Sequence, residues 1–308
     1  MSPLLQDFVT YIGQLEVYGK GAEVLEKLVG VTTSAMQLNK VTDYYGTCCD
    51  EKALLTPVLG AVKKDEKVYV EVDGSMVFTR DSDWKEVKVG RVFKQSDYVP
   101  SVNEKAGWIR HSQYLAHVGD AGTFTQKMDT LIDNYGIKPE QLIMVTDGAP
   151  WIQNWQEDAF AGATFILDFY HAKEHLYSFV KAAFRDAKQG GKWAERQCEL
   201  LLESKLQMVL KNIKKVSNTA SASQAQALIN YYQNNAGRMD YKKYRTLGIG
   251  IIGSGAIESA HRTLVQKRCK LSGQRWSVKG LQNMLNLKTV YLNEDWGKVI
   301  QFTKKIAA

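Results

Sequence analysis

Three acidic residues stand where a carboxylate can leave a sheet or begin a helix and take part in chemistry. Asp73 follows the alternating run KVYVEV, Asp147 follows the apolar run QLIMVT, and Glu258 follows GSGAI. Strand ends place side chains at the edge of a sheet, and converging carboxylates supply the oxygen ligands that Mg²⁺ takes. Two such ions about 3.5–4 Å apart can stabilise the attacking and the leaving oxygen of a phosphodiester. The pattern therefore raises the hypothesis of metal-dependent phosphodiester chemistry.

Each acid taken alone has a simpler interpretation. Asp73-Gly74 is a strong signal for a hairpin turn. Asp147 could cap a helix that begins near Trp151. Glu258 could favour a helix N-terminus through the helix dipole, which contributes about 0.3–1 kcal/mol. Only the combination of the three acids, in this order and on this strand pattern, favours the metal hypothesis.

A competing motif is HAKEH at 171–175, which has the form H-x-x-E-H. On a helix this spacing puts His171 and His175 on one face as zinc ligands, with Glu174 as a base. Glu258 could then be a distant third ligand. The alternative for His175 is a surface or partly packed histidine, which we favour, because the motif fixes only three positions and leaves the preceding sheet without a role.

The elements that must position these residues are helices and a mixed sheet. The first 60 residues read as helices, with a turn at Gly30 and a new helix from Ser34, which fits a helix-turn-helix or a plain helical hairpin. Strands are predicted near 67–73, 84–93, 111–119, 141–147 and 163–171. Only helices are predicted from about 172 to 247, before the glycine-rich entry to the Glu258 helix. This order predicts an α/β fold.

Composition restricts the class of protein without deciding the function. The 308 residues carry a net charge of +7 with a pI of about 9.0, which leaves binding to a polyanion open. The four cysteines form no C-x-x-C pair, so we expect a reducing compartment. No apolar run is long enough for a membrane span, and the first residues lack the features of a secretory signal.

Four motifs together resemble a known family. They are VDG at 72–74, TDGAPWI at 146–152, ILDFYHAKEHL at 166–176 and GSGAIESAHRTLVQKRCKLSGQRWS at 253–277. In this order they resemble the ISKra-type bacterial insertion-sequence transposases, which belong to the Mutator-like group of DDE recombinases. The resemblance extends from the helix-turn-helix region to about residue 295. The chain begins close to that region, whereas related transposases usually carry a further DNA-binding segment before it.

The resemblance implies an RNase H-like mixed sheet with flanking helices, interrupted by an all-helical insertion. The implied domains are a helix-turn-helix-like DNA-binding region at 1–60, the first part of the core at 61–171, the insertion at 172–247 and the completion of the core at 248–308. It implies that Asp73, Asp147 and Glu258 bind two Mg²⁺ or Mn²⁺ ions. Asp168 and His171 match the D-x-x-H element of these enzymes and would support the active site.

The implied partner is DNA, at the element ends and at the target, bound by a homodimer or higher oligomer without a membrane. The expected location is the bacterial cytoplasm, in association with the nucleoid. Four basic residues near Glu258 are candidates for phosphate contacts, namely Lys267, Arg268, Lys270 and Arg275. Trp276 is a candidate for stacking on a base, but we favour its burial against the core. Alternatives are an RNase H-like nuclease without strand transfer, a catalytically inactive DNA-binding protein and a zinc peptidase.

Overall fold

The computed structural model describes residues 1–102 and 107–307. The helices up to the middle of the chain are α1 (Pro3–Leu15), α2 (Tyr18–Val29), α3 (Ala35–Cys48), α4 (Glu51–Leu54), α5 (Ala121–Asn134), α6 (Pro150–Ala159) and α7 (Phe169–Ala183). Those that follow are α8 (Ala187–Leu202), α9 (Leu206–Val216), α10 (Ala222–Asn234), α11 (Tyr241–Tyr244), α12 (Gly255–Ala260), α13 (Lys267–Cys269), α14 (Val278–Leu292) and α15 (Gly297–Ala307). No helix in these residues is long and apolar enough to cross a membrane.

The main sheet has five strands and mixed polarity. The strands are β1 (Val68–Thr79), β2 (Asp83–Lys94), β3 (Tyr98–Val99), β4 (Trp108–Ile109), β5 (Gln113–Val118), β6 (Leu142–Thr146) and β7 (Thr164–Leu167). The sheet order is β5-β2-β1-β6-β7, and β3 pairs with β4 separately. β5 runs antiparallel to β2, whereas β6 is parallel to both β1 and β7. The predicted α/β class with a mixed sheet is therefore confirmed.

The chain forms two compact units. The first comprises residues Met1–Glu66, Val72–Ile137 and Ala256–Ala308, and the second comprises Lys67–Glu71 and Lys138–Gly255. In the first unit, one buried cluster joins side chains of β1, β2 and β5 to those of α12, the π-helical turn at His261–Gln266 and α14, including Val77, Val89 and Leu264. A smaller cluster of Val9, Leu25 and Leu38 joins α1, α2 and α3.

The connection between α2 and α3 follows the sequence signals. α2 ends at Gly30, whose φ of 69° is the left-handed conformation that glycine adopts without strain. α3 begins after Ser34, whose hydroxyl accepts a hydrogen bond from the amide of Gln37 at 3.2 Å. The turn at Gly30 and the helix start at Ser34 are thus confirmed.

The prediction that β1 ends at Asp73 is wrong. β1 continues through Asp73 and Gly74 to Thr79, so the Asp-Gly pair is not a hairpin turn. A Cβ on Gly74 would lie 2.1 Å from Oε1 of Glu86, so glycine gives that side chain the space it occupies beside the strand. The chain reverses after Thr79, where the Thr79 hydroxyl donates to the carbonyl of Asp83 at 2.8 Å. Asp83 has a φ of 54°.

The second unit is built on β6 and β7, with the helices α6 to α11. The five residues of β6 are all buried, as expected for a strand covered on both faces. The predicted strand at 163–171 is too long, because β7 ends at Leu167 and α7 begins at Phe169. Asp168 caps α7 by accepting a hydrogen bond from the amide of Tyr170 at 2.8 Å, which stops the strand.

Candidate functional site

Asp147 lies directly after β6 in a loop that holds its backbone firmly. Its carboxylate accepts a hydrogen bond from the amide of Ala149 at 2.8 Å, and its carbonyl accepts one from the hydroxyl of Tyr231 at 2.9 Å. Gly148 has a φ of 83°, and a Cβ there would lie 2.8 Å from a methyl of Leu167. Asp147 is half-buried and is not the N-cap of α6. The loop, and not a helix cap, therefore sets the orientation of its carboxylate.

Asp168 and His171 form a close pair at the start of α7. Asp168 is fully buried, and its Oδ2 lies 2.8 Å from Nδ1 of His171. The hydroxyl of Ser254 donates to the same oxygen at 2.5 Å. The backbone is tied at both sides of Asp168, because its amide donates to the carbonyl of Thr146 at 2.8 Å and the amide of Phe169 donates to the carbonyl of Ile252 at 2.9 Å. The D-x-x-H element is therefore a rigid, hydrogen-bonded cluster.

These contacts change the charges of both partners. Burial alone would raise the pKa of Asp168, but hydrogen bonds from His171, Ser254 and the Tyr170 amide outweigh it and lower that pKa. The hydrogen bond to Asp168 raises the pKa of His171 to about 9, and the negative charge of Asp147 adds to this effect. The pair is therefore a carboxylate and an imidazolium at neutral pH, within the electrostatic reach of Asp147.

His175 has a different environment one turn further along α7. Its ring packs on that of Tyr231, with 4.2 Å between centroids and an interplanar angle of 33°. Burial and the positive charge of His171 lower its pKa. His175 thus packs on an aromatic ring at the surface of α7. Among the described residues, no group of three or more His, Cys, Asp or Glu side chains is arranged to hold a metal ion.

Asp73 lies beside two potential cations in the first unit. Its Oδ2 is 3.3 Å from Nε2 of His261, which is 4% exposed. The ion-pair distance is met, but among the residues that the structure describes, neither ring nitrogen of His261 has a well-aligned hydrogen-bond partner. Burial therefore dominates and lowers the pKa of His261 to about 4. Burial also lowers the pKa of Lys270, while Asp73 acts to raise it.

Glu258 lies in the first turn of α12, as the sequence predicts. His261 follows it by three residues, a spacing that puts both side chains on one helix face. The helix continues from α12 into a π-helical turn at His261–Gln266 and then into α13. The guanidinium of Arg91, which is 6% exposed, fixes the helix start by donating to the carbonyl of Ala256 at 2.7 Å and to Ser112 at 2.9 Å.

The four basic candidates near Glu258 differ in exposure. Lys267, Lys270 and Arg275 are exposed, whereas Arg268 is only 1% exposed. Arg268 donates from Nε to the carbonyl of Gly13 at 3.1 Å, so it ties α13 to α1. This burial leaves almost no surface for a duplex, so the expectation that Arg268 contacts the DNA backbone stays a prediction, restricted to a group that enters the space beside its guanidinium. Trp276 is half-buried against the Arg268 guanidinium, 5.0 Å from the ring centroid.

Residues 15–305 match the model of an uncharacterised protein family, UPF0236. The chain belongs to that family. The match includes every candidate site residue named above, from Asp73 to Trp276. No curated protein matches the sequence.

Three contributors to these clusters were not found from the sequence. Ser254 binds Asp168, His261 contacts Asp73, and Arg91 anchors the start of α12. The spacing Glu258-x-x-His261 was the one available signal, because residues three apart share a helix face. Ser254 and Arg91 gave none, since their partners lie 86 and 165 positions away in the chain.

Proposed function

We propose that the chain is a DDE transposase that cleaves DNA and joins it to a target with the help of divalent metal ions. Asp73, Asp147 and Glu258 would hold two Mg²⁺ or Mn²⁺ ions, whose hard character suits an all-carboxylate donor set. The mixed sheet with flanking helices agrees with the RNase H-like core that the proposal requires.

The register of two parallel strands is the observation that carries the proposal. Glu71 of β1 pairs with Val145 of β6. Asp73 and Asp147 each follow that pair by two residues. Two acids that come the same number of residues after one pair of neighbouring parallel strands suit a shared metal site, and they arise here from sequence runs of different pattern. Chance turns or caps at Asp73 and Asp147 have no reason to keep this equivalence.

The D-x-x-H cluster supports the same proposal from the second unit. An imidazolium at His171 stands in the field of Asp147, held by the buried Asp168. Hydrogen bonds from Ser254 and from the Tyr170 amide hold the Asp168 carboxylate in place, so the position of the His171 ring is fixed as well. We assign the cluster the task of orienting groups around Asp147, and it makes no covalent bond to DNA.

Bound metal ions would supply activation of the attacking oxygen and stabilisation of the leaving oxygen. The residues of the chain do the rest by positioning. The three carboxylates would hold the ions. The loop at Gly148 fixes the direction of Asp147, and Arg91 fixes the start of the Glu258 helix. The exposed side chains of Lys267, Lys270 and Arg275 would contact DNA phosphates through their charge. They would not recognise the base sequence.

The test is a cleavage and joining assay on a plasmid that carries the DNA flanking the gene on both sides. With Mg²⁺ or Mn²⁺, we expect cut ends and joined products that sequencing can map. Asp147→Asn should lower both by at least about a hundredfold, because a lost metal ligand removes several kcal/mol of charge stabilisation. Glu195→Gln is the matched control, since Glu195 is an exposed carboxylate on α8. Equal activity of Asp147→Asn and the unaltered protein would refute the proposal.

The same experiment separates the alternatives. Cutting without joined products indicates an RNase H-like nuclease. DNA binding that Asp147→Asn leaves unchanged, with no metal-dependent cutting, indicates a catalytically inactive DNA-binding protein. Stoichiometric zinc in the purified protein supports the zinc peptidase, with His171 and His175 as ligands. As parts of the transposase proposal, we expect a homodimer or higher oligomer on DNA and a location in the bacterial cytoplasm.

A further inference from the structure

A pocket of about 390 Å³ opens in the first unit beside Trp276. Its walls come from the start of α2, the middle of α3, the β1–β2 turn and the segment before α14. The lining includes Tyr18, Asn39, Arg80, Arg268, Arg275 and Trp276. The volume lies within the range of small-molecule sites, which is about 300–1,000 Å³.

Two buried N–H groups in the pocket wall have no hydrogen-bond partner among the described residues. They are Nη2 of Arg268 and Nε1 of Trp276. The guanidinium of Arg268 lies 4.7 Å from the ring centroid of Tyr18 and 5.0 Å from that of Trp276, so two aromatic faces fix its plane. Buried donors are normally satisfied, so two such donors in one pocket wall indicate a missing acceptor.

Further positive potential surrounds the same pocket. Arg80 and Arg275 are exposed, and the amide of Arg80 donates to the carbonyl of Trp276 at 2.8 Å, which fixes the wall. α2 starts at the pocket after Val17, and no side chain in residues 1–102 and 107–307 caps that helix N-terminus. Uncapped amides and the helix dipole favour an anion at such a position.

One acid also lines the pocket, and its charge opposes an anion. Asp43 is half-buried, and its Oδ1 accepts a hydrogen bond from the side-chain amide of Asn283 at 2.9 Å. Three arginines against one carboxylate leave a net charge of +2, and the two unpaired groups are donors. The ligand that fits this wall is therefore an oxyanion with several acceptor oxygens.

We propose that this pocket binds the phosphate of a nucleotide. The phosphate oxygens accept from Arg268 Nη2 and Trp276 Nε1, and Arg80 and Arg275 neutralise the charge at the mouth. The pocket is larger than one phosphate needs, which leaves space for the sugar and base. The choice of phosphate as the bound group depends only on the donor groups of the pocket. The choice of a nucleotide rests on the proposed function, and its source is either a free nucleotide or a DNA strand.

The experiment measures binding of five probes by calorimetry at low salt. The probes are inorganic phosphate, deoxyadenosine monophosphate, deoxyadenosine without phosphate, and a short single-stranded oligonucleotide with or without a 5′-phosphate. We expect the monophosphate to bind and the nucleoside not to bind. Tighter binding of the phosphorylated oligonucleotide than of the monophosphate identifies DNA as the source, and the reverse order identifies a free nucleotide.

Three variants locate the binding. Arg275→Gln and Arg80→Gln should each weaken the monophosphate by about tenfold or more, because each removes a charge-assisted contact. Trp276→Phe keeps a ring against Arg268 and removes one unpaired donor, so it should weaken phosphate binding while circular dichroism and melting show a folded protein. Arg196→Gln is the control, since Arg196 is an exposed arginine on α8 in the other unit.

Equal affinity of the nucleoside and the monophosphate overturns the proposal. The proposal is also overturned if Arg275→Gln and Arg80→Gln bind the monophosphate as tightly as the unaltered protein does. An equally large loss of affinity in Arg196→Gln overturns it as well. Asp147→Asn should bind the monophosphate normally. If the cleavage assay fails while this binding persists, the transposase proposal fails and the phosphate pocket stands.

Discussion

Replacing Asp168 by asparagine tests whether a charged pair organises the start of α7. The asparagine side chain would keep an oxygen for the Tyr170 amide, and asparagine also caps helices well. The change removes the negative charge that lies 2.8 Å from Nδ1 of His171. With burial as the main remaining influence, the pKa of His171 should fall from about 9 to its ordinary value near 6.5 or below.

The size of the stability effect follows from the same pKa. A change from 6.5 to about 9 corresponds to about 3 kcal/mol at most. Because 36% of the His171 side chain is exposed, water screens the pair, and we expect about 1–2 kcal/mol. Between pH 6.5 and 9 the folded protein holds more protons than the unfolded chain, so this contribution is complete below pH 6.5 and is lost as the pH rises through 9.

The assay is a ¹H–¹⁵N NMR titration of the five histidines, with urea unfolding at pH 6, 8 and 10. Asp186→Asn is the matched control, because Asp186 caps α8 by accepting from the Lys188 amide at 2.8 Å and has no histidine partner among the described residues. We expect Asp168→Asn to lose stability at pH 6 and to match the unaltered protein near pH 10. Titration of His171 near pH 6.5 in the unaltered protein, or a stability difference that does not change with pH, would contradict a charged pair at the start of α7.

Three further predictions concern buried groups. Between pH 7 and pH 4.5 the unfolded chain protonates His261, whose ordinary pKa is 6.5, whereas the folded protein protonates it only below about pH 4. The protein therefore loses stability on acidification, and His261→Gln should make that loss smaller by about 2 kcal/mol. Urea unfolding at both pH values measures the difference. Gly148→Ala should cost about 1–3 kcal/mol, because the residue has a φ of 83° and its new Cβ would lie 2.8 Å from a leucine methyl of β7, whereas Gly191→Ala in α8 has open space and should not destabilise. Gly46→Ala should lower the melting temperature, since its Cβ would lie 2.4 Å from a backbone oxygen of α14, and an unchanged melting temperature relative to Gly19→Ala would contradict this close approach.

The sequence correctly predicted those helices and strands whose conformation is set by residues within the element or at its ends. The apolar run before Asp147 became the buried strand β6, because no charged side chain in it resists burial on both faces. Gly30 and Ser34 ended and started helices through their own backbone and hydroxyl. The position of Glu258 in a first helical turn also followed from the glycine-rich entry before it.

The failures occurred where a distant residue decided the outcome. Asp73-Gly74 reads as a turn, yet the Glu86 carboxylate occupies the space beside Gly74 and the strand continues. Arg268 reads as a surface cation in a basic run, yet the carbonyl of Gly13 and two aromatic rings bury it. These partners lie outside the local stretch of chain, so no local pattern contains them. Sequence spacing therefore predicted the secondary-structure positions of Asp147 and Glu258 better than it predicted which nearby charged side chains are buried.

Each compact unit contains a histidine beside one of the predicted acids, and the two histidines have opposite charge states. His171 is held as a cation by the buried Asp168, within reach of Asp147. His261 is neutral, because burial outweighs its poorly aligned contact with Asp73. Below about pH 9 the imidazolium of His171 adds a positive charge in the field of Asp147, whereas His261 adds none beside Asp73. The two acids follow sequence runs of different pattern and come two residues after the same strand pair, but the histidine near each makes their electrostatic surroundings different.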